Sequence, residues 1–393
     1  MTESVAFPHE RPAGCPFDPP AELAELREQR PITRLAFADG HQGWLVTSHA
    51  LVREVLADSR FTSRYELLHH PLVPAGSAPM PPAPVGDLSG MDAPEHTRYR
   101  KLLTGQFTVR RMRQLTGRVE EITAEHLDAM QQHGPPLDLL TAYAQPIPAI
   151  MICEVLGVPY ADRDTFRRQA ADGIAASTPE RQFTAFAALS EYIGELVRAK
   201  RADPTDDVLS DLTHTDLSDE ELTGIGTLLL GAGLDTTANM IALGTFALLR
   251  HPAQLTALRE DPGLADKAVE ELMRYLTIAH TGIRAALQDV ELDGHLIKQG
   301  ETVVLAANAA NRDPAKFPNP DTLDLNRQAT GHLGFAHGIH QCIGQQLARV
   351  ELRTALPALL TRFPDLRLAV AAEDVPMRTD SNVYGVRALP VTF

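Results

Sequence analysis

Cysteine is scarce in this chain of 393 residues. Cys15, Cys153 and Cys342 stand far apart, with no CxxC pair and no Cys/His spacing suited to zinc. Neither a disulfide framework nor a zinc site is expected, and a reducing cytoplasm is the natural setting. Basic residues are few as well: 36 Lys and Arg against 51 Asp and Glu, a formal net charge of −15. That balance favours solubility and argues against nucleic acid as a partner. No apolar run reaches the ~20 residues of a membrane span unbroken; the nearest, through Leu228, is interrupted by Gly231, Gly233, Asp235 and Asn239. The start, Met1-Thr2-Glu3-Ser4, lacks the basic-then-apolar order of a signal peptide. Internal repeats and low-complexity linkers are missing too, so one soluble, cytoplasmic domain over residues 1–393 is expected.

What is present is mainly helical periodicity. Segments near 50–56, 94–107, 118–133, 139–156, 162–175, 181–201, 218–250, 252–259, 264–276 and 345–362 have helical spacing or composition. Pro12, Pro16, Pro19 and Pro20 make the first thirty residues an extended arm leading to a short helix. Asp39-Gly40 and Asp293-Gly294 read as hairpin turns. Residues 66–90 are proline-rich and fit no regular element; a long loop in a compact domain is often functional. The expected class is mainly α with small β-sheets, an α+β fold.

Three patterns carry chemistry. In Gly334-Phe335-Ala336-His337-Gly338-Ile339-His340-Gln341-Cys342-Ile343-Gly344 a lone cysteine precedes a helix. Unpaired N–H groups and the helix dipole there favour a thiolate, and Gly338 and Gly344 allow a flat partner to approach. Phe335 is placed to pack on the sulfur. Alanine at 336 should keep that position at φ < 0. The alternative is a buried structural thiol.

The second pattern is the 218–250 helix, opened by the capping box Ser218-Asp219-Glu220-Glu221. Its middle, Gly231-Ala232-Gly233-Leu234-Asp235-Thr236-Thr237, holds two glycines that cost about 1 kcal/mol each, so a cofactor approaching the backbone is one reason for them. Asp235 and Thr236 put an acid beside an alcohol, both able to bond back to the helix and loosen it. A kinked core helix is the plain alternative. A dinucleotide loop is disfavoured, because no strand precedes the glycines and the third glycine is missing.

The third pattern is charged. Glu271 and Arg274 share a helix face, His96 and Arg100 lie one turn apart, and residues 98–118 hold seven basic side chains with no acid. Such a run suits docking of an acidic protein or is simply a solvated face.

The series Phe335-x-x-Gly338-x-His340-x-Cys342-x-Gly344 resembles the haem-binding loop of cytochromes P450, and Gly231 to Thr236 resembles that family's oxygen-activation motif. Glu271-x-x-Arg274 matches its Glu-x-x-Arg motif. The resemblance spans nearly the whole chain and points to the soluble bacterial (class I, actinobacterial secondary-metabolism) type. It implies a cytochrome P450 fold with haem b between the long central helix and the cysteine-loop helix. Cys342 would be the axial iron ligand. Ala232, Gly233, Phe335 and Gly344 would adjoin the haem, and His96, Arg100, Arg284 and His340 would serve its propionates. Asp235 and Thr236 would handle dioxygen and protons, while Arg327 would join Glu271 and Arg274 in a structural ion network.

The implied activity is monooxygenation, as hydroxylation or epoxidation of a bulky, mostly hydrophobic molecule of polyketide/macrolide, terpenoid or steroid-like type. Electrons would come from a ferredoxin and an NAD(P)H-dependent ferredoxin reductase. Leu228, Leu229, Ile278, Ala279, His280, Ile283 and Val383 would line the substrate pocket beside the 66–90 loop, with His69, His70 and Tyr384 available to orient polar groups. A monomer is expected. A peroxide-driven haem-thiolate oxygenase and a non-catalytic haem-thiolate sensor are the alternatives.

Overall fold

The computed structural model describes residues 4–12, 14–74, 76–107, 109–163, 179–379 and 381–393. Its axis is the Asp219–Arg250 helix. Ser218 Oγ accepts the Glu221 N–H at 3.2 Å while the Glu221 carboxylate accepts the Ser218 N–H at 2.7 Å, which satisfies two N–H groups at the helix start. Asp219, Glu220 and Glu221 also meet the positive end of the helix dipole. The helix runs unbroken through Gly231–Thr237 to His251, so the two glycines do not interrupt it. Among the described helices it alone is long and apolar enough to cross a membrane, yet 72% of its apolar window is buried inside the protein. An apolar surface on every side marks it as the core helix.

Pro146–Leu156, Pro179–Ala202 and Gln345–Arg362 pack around it. Among its described residues the 66–90 loop has no α-helix, only one-turn 3₁₀ segments at Tyr65–Leu67 and Leu88–Gly90. It crosses the first turns of the core helix at Val85 and Gly86, where a Cβ on Gly224 would run into the Val85 carbonyl.

The helix expected near 118–133 starts earlier, at Val109. The segment 139–156 divides into a wide turn, Leu140–Ala144, and the helix Pro146–Leu156, because Pro146 has no N–H to continue the first ladder. A short helix at Val208–Thr213 was not expected; Asp207 caps it, accepting the Ser210 N–H at 2.8 Å. Most of the helix expected at 162–175 lies outside the described residues.

One mixed six-stranded sheet flanks the helices, in the order Val5–Ala6, Ile32–Ala36, Gln42–Val46, Thr302–Ala306, Thr281–Ala286, Phe61–Thr62. Both expected hairpins form, pairing Ile32 with Val46 and Val290 with Ile297. The register that sets Arg284 opposite Val303 carries the strand Thr281–Ala286 to the site.

Candidate active site

Cys342 sits where the loop enters the Gln345–Arg362 helix, and its N–H donates to Phe335 O at 2.9 Å. Phe335 is buried and supports the loop from behind; the Arg349 guanidinium lies 4.4 Å from its ring centroid. Arg349 also donates to Glu270 at 2.6 and 3.0 Å, and His332 meets the same carboxylate at 3.1 Å. Burial opposes charge on Glu270, yet these two partners hold its carboxyl at about 2.

Gly338 has φ +76, and a Cβ there would strike the Leu56 carbonyl. Ala336 has φ +56, which corrects the expectation of φ < 0: the closure of the loop outweighs the ~1–2 kcal/mol that a Cβ costs in that region. Burial pushes the Cys342 pKa up, and this outweighs the N–H groups of Gly344 and Gln345 and the charges of Arg100 and Arg349. A thiolate here needs a positive partner beyond those the chain supplies.

A cavity of about 360 Å³ lies between the core helix and the cysteine helix. Leu228, Leu229, Ala232, Gly233 and Thr236 line one wall; Cys342, Gly344 and Leu347 line the other. His96, Arg100, Arg284 and His340 also line it. His96 is 1% exposed, and neither ring nitrogen has a partner. Its ring lies 4.4 Å from that of His340, which Ser63 Oγ meets at 3.0 Å. Burial, then Arg284, His96 and Arg100, drives the His340 pKa down to about 3. Among the described residues Arg284 donates only to Ile283 O, at 2.7 Å. Among the described residues no carboxylate lies within ion-pair distance of these four side chains. Unpaired buried donors cost ~1–3 kcal/mol each, so the cluster is built for an anion absent from the chain. A flat group with two carboxylates and a thiolate-binding centre, such as haem, matches this donor set.

Asp235 and Thr236 part company. Thr236 lines the cavity and bonds back to Ala232 O at 2.8 Å. Asp235 is not among its lining residues: Arg378 Nη1 donates to both of its oxygens at 2.7 Å, and Asn239 Nδ2 donates to Oδ1 at 3.0 Å. Two participants went unseen in the sequence. Arg378 left no local signal, being 143 residues from Asp235. Glu351 lines the cavity, 2% exposed; burial lifts its carboxyl to about 8 despite a hydrogen bond with Thr237. Its spacing of four from Leu347 and from Ala355, on the inward helix face, was the signal available.

The family profile described as Cytochrome P450 matches residues 184–386. "Cytochrome P450 105C1" from a Streptomyces species is 52% identical over 382 residues, 96% of each chain. "Pentalenic acid synthase" of Streptomyces avermitilis is 43% identical, covering 100% of this chain and 98% of that one. The crystal structure of CYP105P1 in complex with filipin I superposes with a TM-score of 0.92 at 42% identity, covering 100% and 99%. The chain belongs to the cytochrome P450 family. It is a monooxygenase of the bacterial class I type, using haem b held by a cysteine thiolate.

In this cytochrome P450 a second cavity, of about 1160 Å³, shares Ser89 and Arg284 with the first. His280, Ile283, His70 and Tyr384 line it. Three of the residues expected in the substrate pocket line neither cavity: Ile278 is in the core, while Ala279 and Val383 form a β-bridge with each other. His69 is also absent from both, held instead by Asp39 at 2.6 Å. Glu271 and Arg274 are fully buried and joined at 2.7 and 2.8 Å, and Arg327 reaches Glu271 at 3.1 Å. The basic run is not a free face. Arg98 pairs with Glu221 and Asp216, Arg111 with Asp206 and Asp211, and Arg118 with Glu121 and Glu154, while Arg100 lines the cavity. Lys101 and Arg113 remain exposed.

Proposed function

We propose that Cys342 is the axial haem ligand of a monooxygenase acting on a bulky, mostly hydrophobic small molecule, with a ferredoxin and an NAD(P)H-dependent ferredoxin reductase as electron source. The observation that carries this is the set His96, Arg100, Arg284 and His340: four nitrogen donors without an anion, around a cavity that also exposes Cys342. Arg100 and Arg284 would hold the haem carboxylates by charge-assisted hydrogen bonds, and His96 and His340, neutral through burial, would donate N–H groups.

When bound, haem supplies the dioxygen chemistry, with thiolate ligation favouring O–O cleavage. The chain's own part is positional. Ala232 and Gly233 keep the cavity wall low, and Thr236 presents a hydroxyl to it. The Glu351 carboxyl holds a proton at neutral pH, with Thr237 bonded to it. Asp235 lies outside the cavity, bonded to Arg378. Leu228, Leu229 and Ile283 supply apolar walls for substrate. A relative seen with filipin I and another named for pentalenic acid support a large, largely carbon skeleton.

The test is a carbon-monoxide difference spectrum of the reduced holoprotein, then a ligand screen for spin-state change and turnover with ferredoxin and its reductase. A band of the thiolate type, lost in Cys342→Ser, is expected. An unchanged spectrum in that variant would sink the assignment. Turnover with peroxide but none with ferredoxin and dioxygen would favour the peroxide-driven alternative.

A further inference from the structure

The larger cavity carries a cation with no part in holding haem. The N-terminal arm forms one of its walls and delivers Arg11 to it. The guanidinium stacks on Tyr384, 3.6 Å from the ring centroid. Nη1 donates to Asp18 O at 2.9 Å and to Pro16 O at 3.4 Å, and Tyr384 OH donates to the same Pro16 carbonyl at 2.7 Å. These contacts fix the plane of the guanidinium. They leave Nε and Nη2 without a hydrogen bond to the described residues, and no described carboxylate lies within ion-pair distance of Arg11.

The rest of the wall is amphipathic. Leu72, Val73 and Met80 of the 66–90 loop are large apolar side chains left 53%, 39% and 38% exposed beside the same cavity. Among the described residues the cavity's one acidic lining residue is Glu10, which is exposed. Its other arginine is Arg284, which the haem carboxylates would neutralise. Arg11 is then a second cation, without an ion pair to the described residues, in a space of mixed apolar and polar lining that adjoins the haem cavity at Ser89 and Arg284.

We propose that Arg11 is a specificity residue that receives the carboxylate of an amphipathic acid whose apolar skeleton lies against Leu72, Met80 and Ile283. A pre-oriented guanidinium with two free donors suits a carboxylate, which can accept both, and its stacking on Tyr384 limits the ordering cost of binding. This narrows the substrate class of the proposed monooxygenase and rests on that reading.

The test uses holoprotein and a matched pair of probes, dodecanoic acid and methyl dodecanoate, titrated by spin-state difference spectra. In the wild type the acid is expected to bind at least about tenfold tighter than the ester, the scale of one charge-assisted contact. Arg11→Gln removes that preference while changing the ester Kd less than about twofold, and Arg11→Lys keeps part of it. Equal weakening of acid and ester in Arg11→Gln, with the carbon-monoxide band intact, assigns Arg11 a structural role and overturns the proposal. So does an intact wild-type band with no preference for the acid, a result that needs no variant to fold. Loss of the band in the wild type would instead count against the cysteine-ligand reading.

Discussion

One nitrogen of Arg378 donates to both carboxylate oxygens of Asp235, at 2.7 Å each. The acid beside Thr236 is thereby tied to the strand Met377–Arg378, itself paired to Gly385–Val386. Asn239 completes the tie; its Oδ1 is buried without a partner, against Gly385. The acid–alcohol pair is thus split across two faces of one helix, with only the alcohol in the cavity.

Arg378→Ala should lower stability by about 1–3 kcal/mol, because a largely buried carboxylate loses its cation. Removing both charges in Asp235→Asn/Arg378→Ala should cost less than the sum of the single changes. A double-mutant cycle in urea measures this, and strict additivity would show that the pair contributes no coupling.

The Glu271–Arg274 pair is fully buried. Glu271→Gln strands Arg274 and weakens the hold on Arg327, so about 3–5 kcal/mol should be lost. Arg327 keeps 11% of its side chain exposed, and Arg327→Ala should cost less, about 1–3 kcal/mol. Thermal melting of the two holoproteins orders the effects; a larger loss for Arg327→Ala would contradict this ranking.

Glu351 sets a pH dependence. Its folded pKa of about 8 lies above the ~4.3 of a free glutamate, so the folded state retains a proton that the unfolded chain releases. This contribution is fully present below ~4.3 and is lost as pH rises through about 8. Glu351→Gln cannot ionise. Its melting temperature should fall less than that of the wild type between the two values, read from melts across that range; parallel profiles would contradict the assignment.

The cysteine loop gives a contrast among small residues. Gly338→Ala brings a Cβ against the Leu56 carbonyl at φ +76 and should cost at least about 1–3 kcal/mol. Gly344→Ala, at φ −81 with nothing within 4 Å, should be near neutral in the protein without haem. Ala336→Gly should gain about 1 kcal/mol by relieving the positive φ, less the entropy a glycine adds to the unfolded chain. Denaturation of the three haem-free variants, with haem content measured alongside, checks the order.

Much of the site is legible in the sequence because its signals are local. A cysteine before a helix, a capping box at Ser218, Glu271 three residues from Arg274 and hairpin turns at Asp39-Gly40 and Asp293-Gly294 depend only on neighbours in the chain. Neighbour effects such as caps, turn chemistry and helical spacing are what short windows of residues encode.

What the tertiary structure alone decided depends on burial and on partners distant in sequence. Helix-end reasoning favoured a thiolate at Cys342, but desolvation by the surrounding chain moved the thiol the other way. The basic run looked free until Asp206, Asp211, Asp216, Glu154 and Glu221 arrived from elsewhere to pair with it. Asp235 looked turned toward chemistry until Arg378 took it, and Glu351 carried no reading of its own until packing closed around it. The spacing of residues is written along the chain, whereas the dielectric around a charge and the identity of its partner exist only once the segments have packed.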